Sequence, residues 1–144
     1  MQQEQQQGMP KTAAIASYRD LEVWQLAMAV VETCYRLTTS FPAREQFELV
    51  AQMRRAAVSI PSNIAEGQGR RMTGAYLQHL SVAAGSHAEL ETQVEVARRL
   101  GYLTQGDAEE IVGRLRSLGR MLTALIRAVR VKDGRPPQPR GSNP

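Results

Sequence analysis

The chain has 144 residues, with 18 Lys and Arg against 14 Asp and Glu, a formal charge of +4 and a single cysteine. That length suits one domain able to bury a core without cross-links, and the lone Cys34 excludes an internal disulfide and a cysteine-based zinc site. The basic excess permits contact with nucleic acid or an acidic surface without requiring either.

Residues 1 to 17 are Gln-rich and without hydrophobic pattern, lacking both the apolar core of a secretory signal and the length to span a bilayer. They read as a mobile tail on a cytoplasmic protein with no membrane association. Residues 18 to 131 follow as one helical domain, and residues 132 to 144 read as a second tail, because Gly134, Pro136, Pro137 and Pro139 cannot continue a helix.

The first helix is expected over residues 19 to 39, ended by Phe41-Pro42. It carries two apolar lines. Leu21, Trp24, Met28, Val31 and Tyr35 are taken as its core stripe. Val23, Leu26, Val30 and Leu37, with Thr33 in the gap, lie on the far side. A single bundle buries only one face of each helix, so the second line is expected at a subunit contact; a mildly apolar exposed face is the alternative.

A second helix is expected from Arg44 to Gln68, with Val50, Met53, Ala57, Ile60 and Ile64 inward and Gly67 and Gly69 at its end. Pro61 removes a backbone donor and frees the Ala57 carbonyl, which predicts a kink with Ser59, Ser62 and Asn63 near enough to satisfy the freed groups. The third helix, Thr73 to Leu100, presents Tyr76, Leu80, Ala83, His87, Leu90, Val94 and Ala97 and stops at Gly101. Ser59, Asn63 and Glu66 on the second helix, with Ser86 and Glu89 on the third, form a candidate polar cluster. A lock on helix register and a ligand site are both open readings of it.

The fourth helix opens at Thr104, a candidate N-cap with Asp107 three residues on. Ile111, Leu115, Leu118, Leu122, Leu125 and Val129 alternate by four and three and share one face. Arg116, Arg120, Arg127 and Arg130 keep the same rhythm half a turn away. All four are taken as having no Asp or Glu three or four residues distant, so helix-local pairing is expected to leave their charge unmatched. The helix dipole accounts for cations in the last turn, Arg127 and Arg130, but fades before Arg116 and Arg120. A solvated face, a salt bridge to another subunit and a polyanion contact all remain open, with Arg70 and Arg71 as further basic candidates.

Catalytic chemistry is sparse. His79 and His87 are about 12 Å apart along one helix, too far to share a metal. Cys34 reads as a packed thiol and Gly67-Gln68-Gly69-Arg70 as a turn without the strand of a phosphate loop. No catalytic residue, metal or cofactor is expected. Four amphipathic helices with short connections predict an all-α, antiparallel up-down-up-down four-helix bundle.

Asp20-Leu21-Glu22-Val23-Trp24-Gln25-Leu26-Ala27, Gln52-Met53-Arg54-Arg55-Ala56 leading into SIPSNIAEG, and GSHAELET from Gly85 to Thr92 followed by Leu100-Gly101-Tyr102-Leu103 resemble the four-helix-bundle proteins encoded in intervening sequences of bacterial 23S ribosomal RNA genes. The resemblance covers about residues 18 to 130. It implies a left-handed up-and-down bundle assembling as a homopentamer, and kinship with the accessory variability protein of diversity-generating retroelements, a basic pentamer working with a reverse transcriptase and RNA. It implies no catalytic residue. The functional expectation is a non-enzymatic homo-oligomer binding RNA or DNA through phosphate contacts; the alternative is an adaptor docking an acidic protein such as a reverse transcriptase or polymerase.

Overall fold

The computed structural model describes residues 16–134. The expected tails therefore lie outside the described residues, apart from Ala16, Ser17 and Lys132 to Gly134. Four helices account for nearly all of the described chain: α1 (Glu22–Thr38), α2 (Leu49–Gln68), α3 (Thr73–Arg99) and α4 (Gln105–Lys132). Two short 3-10 turns, Tyr18–Asp20 and Ala43–Glu45, precede α1 and α2, and there is no strand among the described residues.

Local chemistry sets the boundaries. The Ser17 hydroxyl accepts from the Arg19 amide at 3.0 Å, while Asp20 accepts from the Ser17 amide at 3.0 Å. This reciprocal cap opens the first turn just before α1. Helix α2 starts at Leu49, later than the Arg44 expected, because Ala43–Glu45 form a 3-10 turn and Glu48 leaves helical geometry at φ −113°, ψ −103°. Thr104 caps α4 as expected, accepting from the Asp107 amide at 3.2 Å. At the end of α3 the chain turns through Gly101 at φ +77°, a left-handed conformation, and the Tyr102 amide closes the helix on the Ala97 carbonyl at 3.0 Å.

Helix α2 passes through Pro61 without interruption. The side chains expected to satisfy the Ala57 carbonyl go elsewhere: Ser62 donates to the Val58 carbonyl and Asn63 to the Ser59 carbonyl, both at 2.8 Å.

The helices contact one another as a ring. α1 touches α2 and α4, α3 touches α2 and α4, and the most extensive contact is between α2 and α3. Val50, Met53, Ala57, Ile60 and Ile64 of α2 point inward as expected. So do Leu80, Ala83, His87, Leu90, Val94 and Ala97 of α3, and Ile111, Leu115, Leu118, Leu122 and Val129 of α4. Leu125 and Tyr76 are half-buried.

Leu21 is buried as expected, but helix α1, which follows it, is turned relative to the expectation. Val23, Val30 and Leu37, assigned to a subunit contact, are buried in the chain's own core, with Val30 at 0% exposure; Leu26 is half-buried against that core. Trp24, Met28 and Val31 are only half-buried, and Tyr35 is 43% exposed. The physical reason lies in the residues between the apolar positions. Ala27, Thr33 and Cys34 share the Val30 face and are all buried, so this narrow face lets α1 approach its neighbours closely. A face bearing Trp24 and Tyr35 cannot approach as closely and sits at the rim, where Tyr18 packs edge-on against Trp24 at 5.3 Å between ring centres. The buried hydroxyl of Thr33 is satisfied by donating to the Ala29 carbonyl and accepting from Arg114. Burial pushes the Cys34 thiol up to about 11, so it is a packed, unreactive group.

Polar clasps join the helices above this core. Arg36 of α1 donates to both oxygens of Glu110 on α4, at 2.5 and 2.7 Å, and this hydrogen bonding holds the Glu110 carboxyl below its usual range. Arg54 of α2 lies 4.5 Å from the Tyr35 ring centre and donates to the Thr38 hydroxyl at 3.1 Å.

His87 fixes α3 to α4. Its Nε2–H donates to the Leu115 carbonyl at 2.6 Å, a group that can only accept, and Nδ1 lies 3.2 Å from Glu91. The ring fits because Gly119 has no side chain: a Cβ there would lie 2.9 Å from His87 Cε1. Gly119→Ala gains about 1 kcal/mol of helix propensity but overpacks a held ring at a typical cost of about 1–3 kcal/mol. Chemical denaturation is expected to show it destabilising in the wild-type background and stabilising beside His87→Ala; destabilisation of equal size in both backgrounds would refute the wedge.

Candidate nucleic-acid interface

The apolar stripe of α4 turns Ile111 to Val129 inward, so the arginines half a turn away must face out. Arg116, Arg120 and Arg127 are exposed, and none has a carboxylate within 4.0 Å among the described residues. Arg120 has a hydroxyl neighbour only, Ser117 at 3.2 Å. The other arginines of α3 and α4 behave differently. Arg98 and Arg99 share Glu95, whose carboxyl their hydrogen bonds lower to about 2, and Arg114 lies 3.8 Å from Glu110. Within α3 and α4, then, Arg98, Arg99 and Arg114 have acidic partners and the exposed row does not.

Arg130 differs in burial. Asp133 stands three residues on, contrary to the expectation from local spacing, but Arg130 makes no ion pair among the described residues; it is half-buried where the others are exposed. The exposed rail is therefore Arg116, Arg120 and Arg127. Two turns before Arg116, on the same face, stands the exposed Glu109, so the face is basic only beyond the first turns. Arg70 and Arg71 are exposed on the α2–α3 turn, a different element, and make no ion pair among the described residues.

The candidate polar cluster assembles in part, on the α2–α3 seam. Asn63 Nδ2 donates to the Ser59 carbonyl at 2.8 Å and to the Ser59 hydroxyl at 3.1 Å, and the Ser86 hydroxyl donates to that of Ser59 at 2.8 Å. Glu89 does not join them; it accepts from Gln93 one turn along its own helix, at 3.2 Å. The fourth member is instead His79, whose Nδ1 is 3.1 Å from Asn63 Oδ1 and 3.6 Å from Glu66. Its distance from the Ser86 motif along α3 hid this role, although its position two turns before His87 on one helix was visible in the sequence. Close approach of the helices here depends on Gly67, where a Cβ would lie 2.7 Å from the Tyr76 ring and 3.0 Å from His79 Cβ.

Remaining concavities are shallow. A groove of about 260 Å³ runs between α1 and α2 past Trp24, Met28, Val31, Val58 and Pro61. Another of about 290 Å³ lies at the α1–α2 connection beside Arg54. No helix among the described residues is long and apolar enough to cross a membrane.

Four packed helices with one arginine-lined outer face define an all-α protein with a basic surface. The family model for the 23S rRNA-intervening sequence protein matches residues 19–124, and the chain belongs to that family. Arg116 and Arg120 fall inside the match and Arg127 beyond it. Among solved structures, the fold is similar to a protein of unknown function from the S23 ribosomal protein family of Bacteroides thetaiotaomicron VPI-5482, with 21% identity and a TM-score of 0.66. That similarity covers 73% of this chain and 95% of the other. A search of curated proteins gave no match.

Removing the Asn63 side chain takes a partner from the part-buried Ser59 hydroxyl and His79 imidazole, a change that typically costs about 1–3 kcal/mol. Asn63→Ala is expected to lower the denaturation midpoint accordingly. An unchanged midpoint would show that the seam does not depend on this network.

Proposed function

We propose that the chain is a non-enzymatic, homo-oligomeric nucleic-acid-binding protein, an antiparallel up-down-up-down bundle that holds phosphates on the outer face of α4. The observation that carries this reading is the row Arg116, Arg120 and Arg127, exposed and without an acidic partner. Guanidinium groups suit bidentate contact with phosphate oxygens. From Arg116 to Arg127 the helix rises about 16 Å, at 1.5 Å per residue, a span matching more than one phosphate. Such contacts position a strand without reading its sequence. The antiparallel order is supported by pairings that join the end of one helix to the start of the next, such as Thr38 with Arg54 and Gln68 with Tyr76.

Association is supported by the rim that α1 and α2 leave open. Trp24, Met28 and Val31 are half-buried, and Tyr35 and Val58 are 43% and 41% exposed, a contiguous apolar strip beside Pro61. The resemblance noted above favours a pentamer, and several copies of a weak arginine row would add through avidity. Light scattering at micromolar concentration should give a multiple of 16.0 kDa, and Val31→Glu with Val58→Glu should give smaller helical species. A wild-type mass of one chain would remove oligomerisation from the proposal.

Binding to mixed-sequence duplex should weaken with salt at a log-log slope of roughly −2 for each subunit engaging two phosphates, at about −0.9 per phosphate. Changing Arg116, Arg120 and Arg127 together to Gln should weaken binding to all sequences alike and leave helicity intact. An absence of binding at about 50 mM salt, where a phosphate binder is strong, would favour docking of an acidic protein partner such as a polymerase or reverse transcriptase domain on the same face.

A further inference from the structure

Hydrogen-bond logic on the α2–α3 seam determines which nitrogen of His79 carries a proton. The Ser59 carbonyl can only accept, so the group of Asn63 that faces it at 2.8 Å is the amide nitrogen. Asn63 Oδ1 then faces His79 Nδ1 at 3.1 Å as an acceptor, which makes Nδ1 the protonated nitrogen of the neutral ring. Glu66, 3.6 Å from the same nitrogen, acts in the same sense. Nε2 is left with its lone pair. It has no partner among the described residues and is not among the buried unpartnered atoms, and the side chain keeps 23% of its surface in solvent. The seam thus presents a fixed, outward-facing hydrogen-bond acceptor.

Its surroundings select the donor. An acceptor with no hydrogen of its own, beside the Glu66 carboxylate, disfavours a phosphate oxygen and favours a hydroxyl. The Arg70 amide donates to the Gly67 carbonyl at 3.0 Å, and Gly67 is the residue packed against His79 Cβ. The turn carrying the exposed Arg70 and Arg71, which make no ion pair among the described residues, therefore begins beside the base of the His79 side chain. A hydroxyl donor flanked by phosphates is the ribose 2′-hydroxyl, the group that distinguishes RNA from DNA along the backbone.

We propose that His79 Nε2 accepts a hydrogen bond from a ribose 2′-hydroxyl of an RNA strand whose phosphates lie on Arg70 and Arg71. This inference rests on the nucleic-acid reading above and deepens it, assigning the preference for RNA to the α2–α3 turn and the salt-dependent affinity chiefly to α4. Glu66 and Asn63 act as positioning residues that hold the ring with Nε2 outward.

The test uses the full chain and fluorescence anisotropy with labelled single strands of one sequence in ribo, deoxy and 2′-O-methyl forms. Wild type should bind the ribo strand roughly five-fold more tightly than the other two, the scale of one net hydrogen bond. His79→Asn keeps a donor toward Asn63 but has nothing at the Nε2 position, and should lower ribo affinity to the deoxy level while leaving deoxy affinity unchanged. His79→Gln, whose amide oxygen can take the Nε2 position, should retain the preference. Melting curves of both variants check that the seam stays folded. Equal ribo and deoxy affinity in wild type, or a preference untouched in His79→Asn, would overturn the histidine assignment and leave the phosphate reading of α4 standing. Absence of binding to all three strands would overturn both.

Discussion

The α2–α3 seam is the contact on which the rest of the structure depends. It is the most extensive helix pair, and it works because small residues occupy the points of nearest approach: Gly67 beneath Tyr76 and His79, and Ser59 against Ser86. Small residues alone would allow sliding of one helix along the other. The bonds that cross the seam resist that sliding, since Asn63 to His79 and Ser86 to Ser59 are both made in a single register. With α2 and α3 fixed, the apolar faces of α1 and α4 have a defined surface to close against.

Closure by α1 follows from steric economy. Its inward face carries Ala27, Thr33 and Cys34 among the aliphatics, so the helix sits close to its neighbours and the larger Trp24 and Tyr35 are left at the rim. Aromatic rings there keep their polar tips near water and still cover apolar surface. Arg54 and Arg19 use these rings as platforms, over Tyr35 and over Tyr18 and Trp24 respectively. The same choice leaves an apolar strip along α1 and α2, opposite in kind to the arginine face of α4, so two dissimilar surfaces are presented by one small protein.

Charge is likewise partitioned by tertiary position. Glu110 is drawn to Arg36 across the α1–α4 contact, and Glu95 is occupied by Arg98 and Arg99 at the end of α3. These pairings consume acids near the α3–α4 connection, and none reaches Arg116, Arg120 or Arg127. Local spacing identified those three as unmatched, and the folded chain brings no distant carboxylate to them. Arg130 makes no ion pair among the described residues either, although Asp133 stands three residues on, and it is set apart by being half-buried.

The sequence by itself determined the number of helices, the inward faces of α2, α3 and α4, the Thr104 cap and the Gly101 stop. Each depends on helical periodicity or on a backbone preference of a few neighbouring residues, which are local properties. The orientation of α1 was beyond it, because both apolar lines satisfy the same period and only the shape of the facing helices distinguishes them. The beginning of α2 was also misplaced, since the polar residues after Pro42 suit a turn as well as a helix. The exclusion of Glu89 from the seam network and the inclusion of His79 were decided by tertiary structure alone. A hydrogen bond between helices depends on their relative register and rotation, which no spacing within either helix encodes, and that register also determined which nitrogen of His79 faces outward.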